Sequence, residues 1–291
     1  MQRSHKLSGV PVQDTAFGWP RDFLGRHFVY AVISQRARGL SIGVNLNPEK
    51  YCNFDCVYCE VKRGKPSREA PVDVNAMAAE LKEMLELAAR GQLREQPRFQ
   101  KIPADLLKLK EVALSGDGEP TLSPNFDVAM EAVLRIRSQQ PQFFKIVLIS
   151  NTTGLFQPHV ERGWRQLSLE DEIWLKLEAG TQKHMRRINR PDHGTLQQVM
   201  ANILRIGRER PIVIQSLFPL LDGEEPSPEE IEAYIQRLQE LVAGGAQISM
   251  VQVYSAHRPA QYGGCRHLPL TTLSAIARRV REATRLRVEV F

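Results

Sequence analysis

Three of the chain's four cysteines lie within eight residues, and this group constrains the fold more than any other feature. The stretch reads Tyr51-Cys52-Asn53-Phe54-Asp55-Cys56-Val57-Tyr58-Cys59, with the spacing C-x3-C-x2-C. Thiolates this close in sequence reach one metal centre only if the backbone loops around it. Structural zinc usually has four protein ligands, and no further Cys or His stands nearby. A [4Fe-4S] cluster takes thiolates on its irons, so three cysteines leave one iron open to a ligand that is not protein.

Other interpretations of the cysteine stretch stay open at this point. The three thiolates could hold zinc with a distant ligand, such as Cys265 or a histidine, or form a redox-active thiol group. Cys265 lies in a loop with two glycines, after the last long predicted strand. A lone thiol in such a place is more often structural than functional, and its role stays undetermined.

The overall composition is that of a globular protein. The chain has 291 residues, of which 42% are hydrophobic and 25% charged, values that are ordinary for a folded domain. The net charge of +6 permits an anionic partner without requiring one. No disulfide framework, secretory signal or apolar run of ~20 residues is visible. We therefore expect a cytoplasmic protein with no membrane partner.

Predicted strands and helices alternate along most of the chain. Residues 1–28 are predicted to be a loop-rich N-terminal extension, and residues 29–291 one domain. Strands are predicted at 28–33, 40–46, 111–115, 144–150, 172–177, 211–216, 248–254 and 287–291, and helices mainly at 72–90, 126–137, 196–208, 228–242 and 270–284. This alternation indicates a parallel sheet with crossover helices, either open or closed towards a barrel. Both architectures place active-site groups at the carboxyl ends of the strands.

Two local signals refine the prediction. A basic turn, Ser34-Gln35-Arg36-Ala37-Arg38-Gly39, separates the first two predicted strands. Ser227 is well placed to cap the helix that begins at Pro228, and Glu230 is predicted to complete a capping box with it.

A second motif, Ser115-Gly116-Asp117-Gly118-Glu119-Pro120, follows the third predicted strand. Its two glycines allow another segment or a ligand to approach the backbone closely. Exposed backbone N–H and C=O groups can pair with a zwitterionic ligand, and Glu119 offers a carboxylate to an ammonium group. Alone, the motif is no more specific than an ordinary glycine turn.

Together, the two motifs resemble those of the radical S-adenosylmethionine (SAM) superfamily. The pattern C-x3-C-x-aromatic-C, with Tyr58 as the aromatic residue, resembles the family signature, and Asp117-Gly118-Glu119 resembles its Gly-Gly-Glu-like stretch. Residues 41–48, 115–122, 177–181 and 187–191 resemble the group of wybutosine-synthesis tRNA-modifying enzymes and their uncharacterised bacterial relatives. The similarity covers about residues 30–291. It implies an α/β fold, a partial (β/α)6 TIM-type barrel of parallel strands with outer helices.

The resemblance also implies a chemistry. Cys52, Cys56 and Cys59 would hold three irons of a [4Fe-4S] cluster, and the open iron would chelate the amino and carboxylate groups of SAM. Reductive cleavage of SAM would yield a 5′-deoxyadenosyl radical that abstracts hydrogen from a substrate, while the protein orients the cofactors. The electron would come from an external flavodoxin- or ferredoxin-like donor. The candidates for cofactor contacts are Tyr58, Gly116, Asp117, Gly118, Glu119, Asn151, Lys176, Glu178, Gln215 and Arg190.

These candidates are expected to play different parts. Tyr58 is expected near the adenine, and three strand-end residues near the ribose or the SAM carboxylate: Asn151, Lys176 and Glu178. Gln215 either faces the ligand or is simply a buried, hydrogen-bonded glutamine. Arg190 belongs to a basic group with Lys183, Arg186 and Arg187. That group is either a solvated helix face or a site for the SAM carboxylate, a phosphate or an RNA backbone.

The substrate is not specified by any motif. RNA modification is the leading hypothesis, with activation of a partner protein or small-molecule chemistry as alternatives. Only one cysteine remains outside the motif, which excludes a second three-cysteine cluster and makes the wybutosine reaction itself unexpected. Two hypotheses of other classes remain, a zinc-binding module without SAM chemistry and a general RNA-binding protein.

Overall fold

The computed structural model describes residues 16–17, 23–62 and 70–291. The strands in this part of the chain are β1 (Val29–Ser34), β2 (Gly39–Val44), β3 (Leu109–Leu114), β4 (Lys145–Ser150), β5 (Glu172–Lys176), β6 (Ile212–Leu217), β7 (Pro219–Leu221), β8 (Ile248–Tyr254), β9 (Cys265–His267) and β10 (Val288–Val290). Eight of them form one sheet in the order β1-β2-β3-β4-β5-β6-β8-β10, whereas β7 and β9 pair with each other.

Helices connect the strands of this sheet. They are α1 (Val74–Ala89), α2 (Phe126–Ser138), α3 (Pro158–Trp164), α4 (Gln182–Ile188), α5 (Leu196–Glu209), α6 (Pro228–Ala243) and α7 (Leu270–Thr284). From β2 to β10 every neighbouring pair in the sheet is parallel. The six strands β2, β3, β4, β5, β6 and β8 curl into a half-barrel with the helices outside, which confirms the predicted partial (β/α)6 barrel.

The two faces of the curled sheet differ in what they bury. Side chains such as Ile42, Val112 and Leu148 belong to the large core that also contains the helices' apolar residues. Side chains at alternate positions form a much smaller cluster of Ala113, Val147, Trp174 and Val213. Because successive side chains point to opposite faces of a strand, the second set faces the inside of the half-barrel. The small apolar cluster leaves room there for a cavity.

The first strand departs from the parallel pattern. β1 pairs antiparallel with β2, from Val29 opposite Val44 to Ser34 opposite Gly39. The basic turn between them is too short for the crossover that a parallel connection needs, so the two strands form a hairpin. The curl brings this turn to the far edge of the sheet, where Arg38 forms an ion pair of 2.9 Å with Glu289 in β10.

The cap of α6 is only partly as predicted. Ser227 is the N-cap and its side chain accepts a hydrogen bond from the Glu230 backbone N–H at 3.2 Å. The predicted capping box is wrong, because the Glu230 carboxylate accepts instead from the backbone N–H of Gly180 and from the Thr181 hydroxyl. These are donors at the start of α4, so the carboxylate joins two helices rather than completing a cap.

Most of the predicted extension 1–28 lies outside the described residues. The Ala16 carbonyl accepts a hydrogen bond of 2.6 Å from the Ile33 backbone N–H, beside β1. The boundaries of the extension and of the domain stay predictions. None of the helices described is both long and apolar enough to cross a membrane.

Candidate active site

The cysteine loop follows β2 and is held by the segment after α4. The Val57 N–H donates to the Ile188 carbonyl at 2.8 Å, and the Asp192 N–H donates to the Asn53 carbonyl at 2.9 Å. Phe54 and Pro191 form an isolated β-bridge between these contacts. Backbone pairing across 188–192 therefore shapes the loop around its cysteines.

The three cysteine thiols line one cavity of about 530 Å³ inside the half-barrel. Two of their sulfurs accept hydrogen bonds: Cys52 Sγ from the Phe54 backbone N–H at 3.5 Å, and Cys56 Sγ from Asn189 Nδ2 at 3.7 Å. Burial raises the pKa of the Cys56 thiol to about 12, and the nearby Lys176 ammonium opposes this shift. The loop thus presents its thiols together and directs hydrogen-bond donors at two of them.

The glycine turn after β3 packs directly against the cysteine loop. The Glu119 backbone N–H donates to the Tyr51 carbonyl at 3.2 Å. A Cβ atom at Gly118 would lie 1.9 Å from that same carbonyl oxygen, which no side chain could tolerate. The glycine is therefore required for the close approach of the two motifs.

The Glu119 carboxylate is occupied by its own chain. One oxygen accepts from the Thr121 hydroxyl at 2.6 Å and the Ser150 hydroxyl at 2.7 Å, and the other accepts from the Asn151 N–H at 2.7 Å. Burial raises the pKa of this carboxyl, while these bonds lower it. The side chain lines the cavity, but it mainly ties the end of β3 to the end of β4.

A hydrogen-bonded network stands beside Cys56. The Tyr58 hydroxyl donates to Glu178, Lys176 donates to that hydroxyl at 3.3 Å, and the Lys176 ammonium lies 5.0 Å from the Tyr58 ring centroid. Asn189 donates to Glu178 and to Cys56. Burial alone would lower the pKa of Lys176, but the Glu178 carboxylate 4.0 Å away helps to raise it above its usual value. Lys176 is therefore a cation next to the thiols.

The predicted contact residues divide into two sets. Those that line the cavity are Tyr58, Gly116, Gly118, Glu119, Asn151, Lys176 and Gln215. Gln215 also donates to Gln252 at 3.0 Å, so both of its expected roles are compatible with the structure. Asn151 donates to Asn53 at 2.9 Å and so joins β4 to the cysteine loop.

The other three candidates lie behind or beside the cavity wall. Glu178 is buried behind Tyr58 and Lys176, which it positions. Asp117 accepts a hydrogen bond of 2.9 Å from Asn45. Arg190 stacks on the ring of Tyr262 at 4.6 Å, outside the set of cavity-lining residues. The cofactor contacts assigned to individual residues stay predictions.

The fourth cysteine is separate from the other three. Cys265 is buried in a small apolar cluster with Val57, Ile188 and Leu221. Within the described ranges, no three His, Cys, Asp or Glu side chains are grouped to hold a single metal ion. A [4Fe-4S] cluster does not need such a group, because each thiolate bonds a different iron.

Two residues near the site were not singled out from the sequence. Asn189 donates a hydrogen bond to the Cys56 sulfur. The sequence pointed to it only through its position in the stretch 187–191, which resembles the family. Arg36 was part of the basic turn, with no sign that its side chain lines the cavity. A position in the chain does not reveal which way a turn residue points.

The fold and site are those of an iron–sulfur enzyme built on a half-barrel, with its cysteines on the loop after the first parallel strand. The family model of the radical SAM superfamily matches residues 46–238. The chain belongs to this superfamily, and its cofactors are a [4Fe-4S] cluster and SAM.

The chain is also similar in sequence to curated proteins and in fold to solved structures. A UPF0026 protein of Helicobacter pylori is 24% identical over 80% of this chain and 68% of its own length. A UPF0026 protein of Synechocystis is 26% identical over 62% of this chain and 60% of its own length. Streptococcus suis SuiB bound to the precursor peptide SuiA has a TM-score of 0.58 at 14% identity over 88% of this chain. TYW1 with a lysine–pyruvate adduct has a TM-score of 0.50 at 19% identity, covering 84% of this chain and 74% of TYW1. The chain spans about half, 49%, of the SuiB chain.

The residues present fit these cofactors. Three thiols line one cavity wall and two of their sulfurs already accept hydrogen bonds, which suits thiolate ligands of a cluster. The glycine turn and Lys176 border the same space, so backbone groups and a cation are available to a zwitterionic ligand.

Proposed function

We propose that this chain cleaves SAM reductively and uses the resulting 5′-deoxyadenosyl radical to take hydrogen from a substrate, with RNA modification as the leading assignment. The observation that carries the proposal is the meeting of the three thiols and the glycine turn at one cavity. An external flavodoxin- or ferredoxin-like protein supplies the electron, and a reducing cytoplasm is the compartment that suits such a site.

The chain's own residues orient the cofactors. Asn189 and the Phe54 N–H donate to cluster-ligand sulfurs, and this restricts how the ligands can turn. Tyr58 and Lys176 form a fixed wall beside the thiols because Glu178 holds both of them.

Support for an RNA substrate comes from the net charge of +6 and from the similarity to TYW1, which acts in wybutosine synthesis. Phosphate backbones favour basic proteins. The alternative, a protein or peptide substrate, is supported by the similarity to SuiB, whose structure holds a precursor peptide.

Anaerobic reconstitution tests the SAM chemistry. We expect a brown protein with about four irons per chain that forms 5′-deoxyadenosine from SAM and dithionite. Cys56→Ala should lose both the iron and the product, whereas the matched variant Cys265→Ala should keep both. A colourless protein that binds zinc through the same three cysteines would contradict the proposal.

The substrate assignment needs its own experiment. Nucleosides of total RNA, and separately the proteome and metabolites, are compared between cells with and without this chain. RNA modification predicts a nucleoside that disappears with the chain and returns with the wild type but not with Cys56→Ala. A changed protein and an unchanged nucleoside profile would favour the alternative.

A further inference from the structure

Arg36 enters the cavity from the turn between β1 and β2. Its side chain lines the same space as the three thiols. The guanidinium carbon lies 4.8 Å from the ring centroid of Tyr254 and 5.8 Å from that of Trp174. Both of these aromatic residues also line the cavity. The guanidinium therefore lies against the rings of two residues from different strands, Trp174 in β5 and Tyr254 in β8.

Among the described residues, the Arg36 guanidinium has ring contacts but neither a hydrogen-bond acceptor nor an ion-pair partner. A guanidinium carries five N–H donors in one plane. Stacking on an aromatic ring covers its face and leaves these in-plane donors available. Arg38, two residues further along the turn, is different, since it is paired with Glu289 at 2.9 Å.

The described carboxylates that line the cavity contact groups other than Arg36, although the charge of Arg36 acts on Glu111 from a distance. Glu111 accepts from the Ser41 hydroxyl at 3.0 Å and lies 4.0 Å from the Lys145 ammonium. Glu119 accepts from residues of its own turn and of β4. Glu60 accepts from Arg258 at 2.6 Å. Among the described residues, the cavity thus contains a guanidinium with no carboxylate in hydrogen-bond or ion-pair contact, and only the more distant charge of Glu111 acts on it.

The cavity is also lined by Arg258, which is paired with Glu60, and by Lys176. Lys176 stands beside the thiols and is held by Tyr58 and Glu178. Arg36 is stacked on aromatic rings, and no described residue accepts a hydrogen bond from its edge. Two cations in separate settings are suited to two ligands, the cofactor near the cysteines and a second molecule near Arg36.

We propose that Arg36 binds an oxyanion of the substrate, a carboxylate or a phosphate, through two parallel hydrogen bonds. This inference rests on the proposed function, because it takes the cavity to be the place where the substrate meets the cofactors. Guanidinium binds both oxyanions in the bidentate geometry that lysine lacks. Stacking has already restricted the Arg36 side chain, so less conformational freedom is lost on binding.

The test measures the binding of defined anions to the reconstituted protein saturated with SAM. The probes are inorganic phosphate, uridine 5′-monophosphate and acetate, titrated by calorimetry at constant ionic strength. We expect saturable binding that Arg36→Gln weakens by about 10- to 100-fold, the loss of charge-assisted hydrogen bonds. Arg36→Lys should be intermediate, and the matched control Arg38→Gln should bind as the wild type does. Preference for the phosphate probes or for acetate identifies which oxyanion the substrate carries.

Several results would overturn the inference. These are equal affinities in the wild type and Arg36→Gln, no saturable binding of any probe, and an Arg36→Gln variant that loses affinity for SAM itself. SAM cleavage with dithionite is measured in parallel. If the wild type cleaves SAM but binds no anion, only this inference fails. If anion binding depends on Arg36 but SAM is not cleaved, the proposed function fails instead. If Arg36→Gln does not fold, the anion affinity of Arg36→Lys is compared with that of the wild type instead.

Discussion

The cavity has two sides that the chain builds in different ways. The cysteine side, which comprises the three cysteines with Tyr58, Lys176, Glu178 and Asn189, is dense in hydrogen bonds. The turn side comprises Arg36, Trp174 and Tyr254, with the Arg38–Glu289 pair next to it. Arg36 has ring contacts there, Trp174 donates to Glu172, and Glu289 pairs with both Arg38 and Arg287. Hydrogen bonds between side chains restrain the cysteine side, whereas the turn side presents a guanidinium with no acceptor among the described residues. This difference is the reason for proposing the cofactors at the first side and a second molecule at the other.

The largest effect that separates the two sides should come from Glu178→Ala. Removing this buried carboxylate leaves Lys176 without its charge partner and takes the acceptor from Tyr58 and Asn189. We expect the free energy of unfolding, measured with urea on the cluster-free protein, to fall by about 3 kcal/mol. Glu289→Ala, on the turn side, is the matched control and should lower the free energy of unfolding much less. Equal losses in the two variants would remove the contrast between the sides.

Gly118→Ala tests whether the cysteine side depends on the close approach of its two motifs. The added Cβ would lie 1.9 Å from the Tyr51 carbonyl oxygen, so the backbone must move. We expect a loss of about 2 kcal/mol in unfolding free energy and a lower iron content after reconstitution. Gly263→Ala is the control, since nothing lies within 4 Å of its Cβ position. An unchanged iron content in Gly118→Ala would show that the loop does not need this contact.

Asn189→Leu sharpens the description of the cysteine side by removing the donor to Cys56 Sγ. Hydrogen bonds to cluster sulfurs help to set the reduction potential. We expect the midpoint potential, followed by electron paramagnetic resonance, to become more negative by roughly 40 mV, which corresponds to about 1 kcal/mol for one electron. Asn202→Leu, whose amide donates to the Thr152 carbonyl, is the control. The hydrogen bond has no part in tuning the cluster if both variants keep the wild-type potential.

The smallest effect should come from Arg38→Gln. Arg38 is 71% exposed, and ion pairs at such positions contribute at most about 1 kcal/mol and are screened by salt. We expect a small loss of stability in dilute buffer that disappears at high ionic strength. A large loss that persists in salt would mean that the turn side is held as firmly as the cysteine side.

Much of the fold could be predicted from the pattern of strands and helices in the sequence. The features that were predicted wrongly have identifiable physical causes. The alternation of strands and helices indicated a parallel sheet because crossover helices need long connections. The β1–β2 hairpin fell outside that rule because its connection is short. The capping box at Ser227 failed because the Glu230 carboxylate found donors on another helix, a contact that local spacing cannot reveal.

The candidate site was predictable where residues lie close in sequence. The cysteine loop and the glycine turn were recognised from their spacing, and both line the cavity. The part played by Glu119 was not predictable, because its carboxylate is taken up by Ser150 and Asn151, about thirty residues away. Asn189 could not be assigned to Cys56 either, since they are 133 residues apart.

The amino-acid sequence by itself determined the class of this protein, because three closely spaced thiols, a glycine turn and a regular alternation of elements are local properties of the chain. Only the tertiary structure decided which polar groups form hydrogen bonds or ion pairs within the protein and which are available to ligands. That distinction depends on distances between side chains far apart in sequence, and the curl of the sheet brings those side chains together.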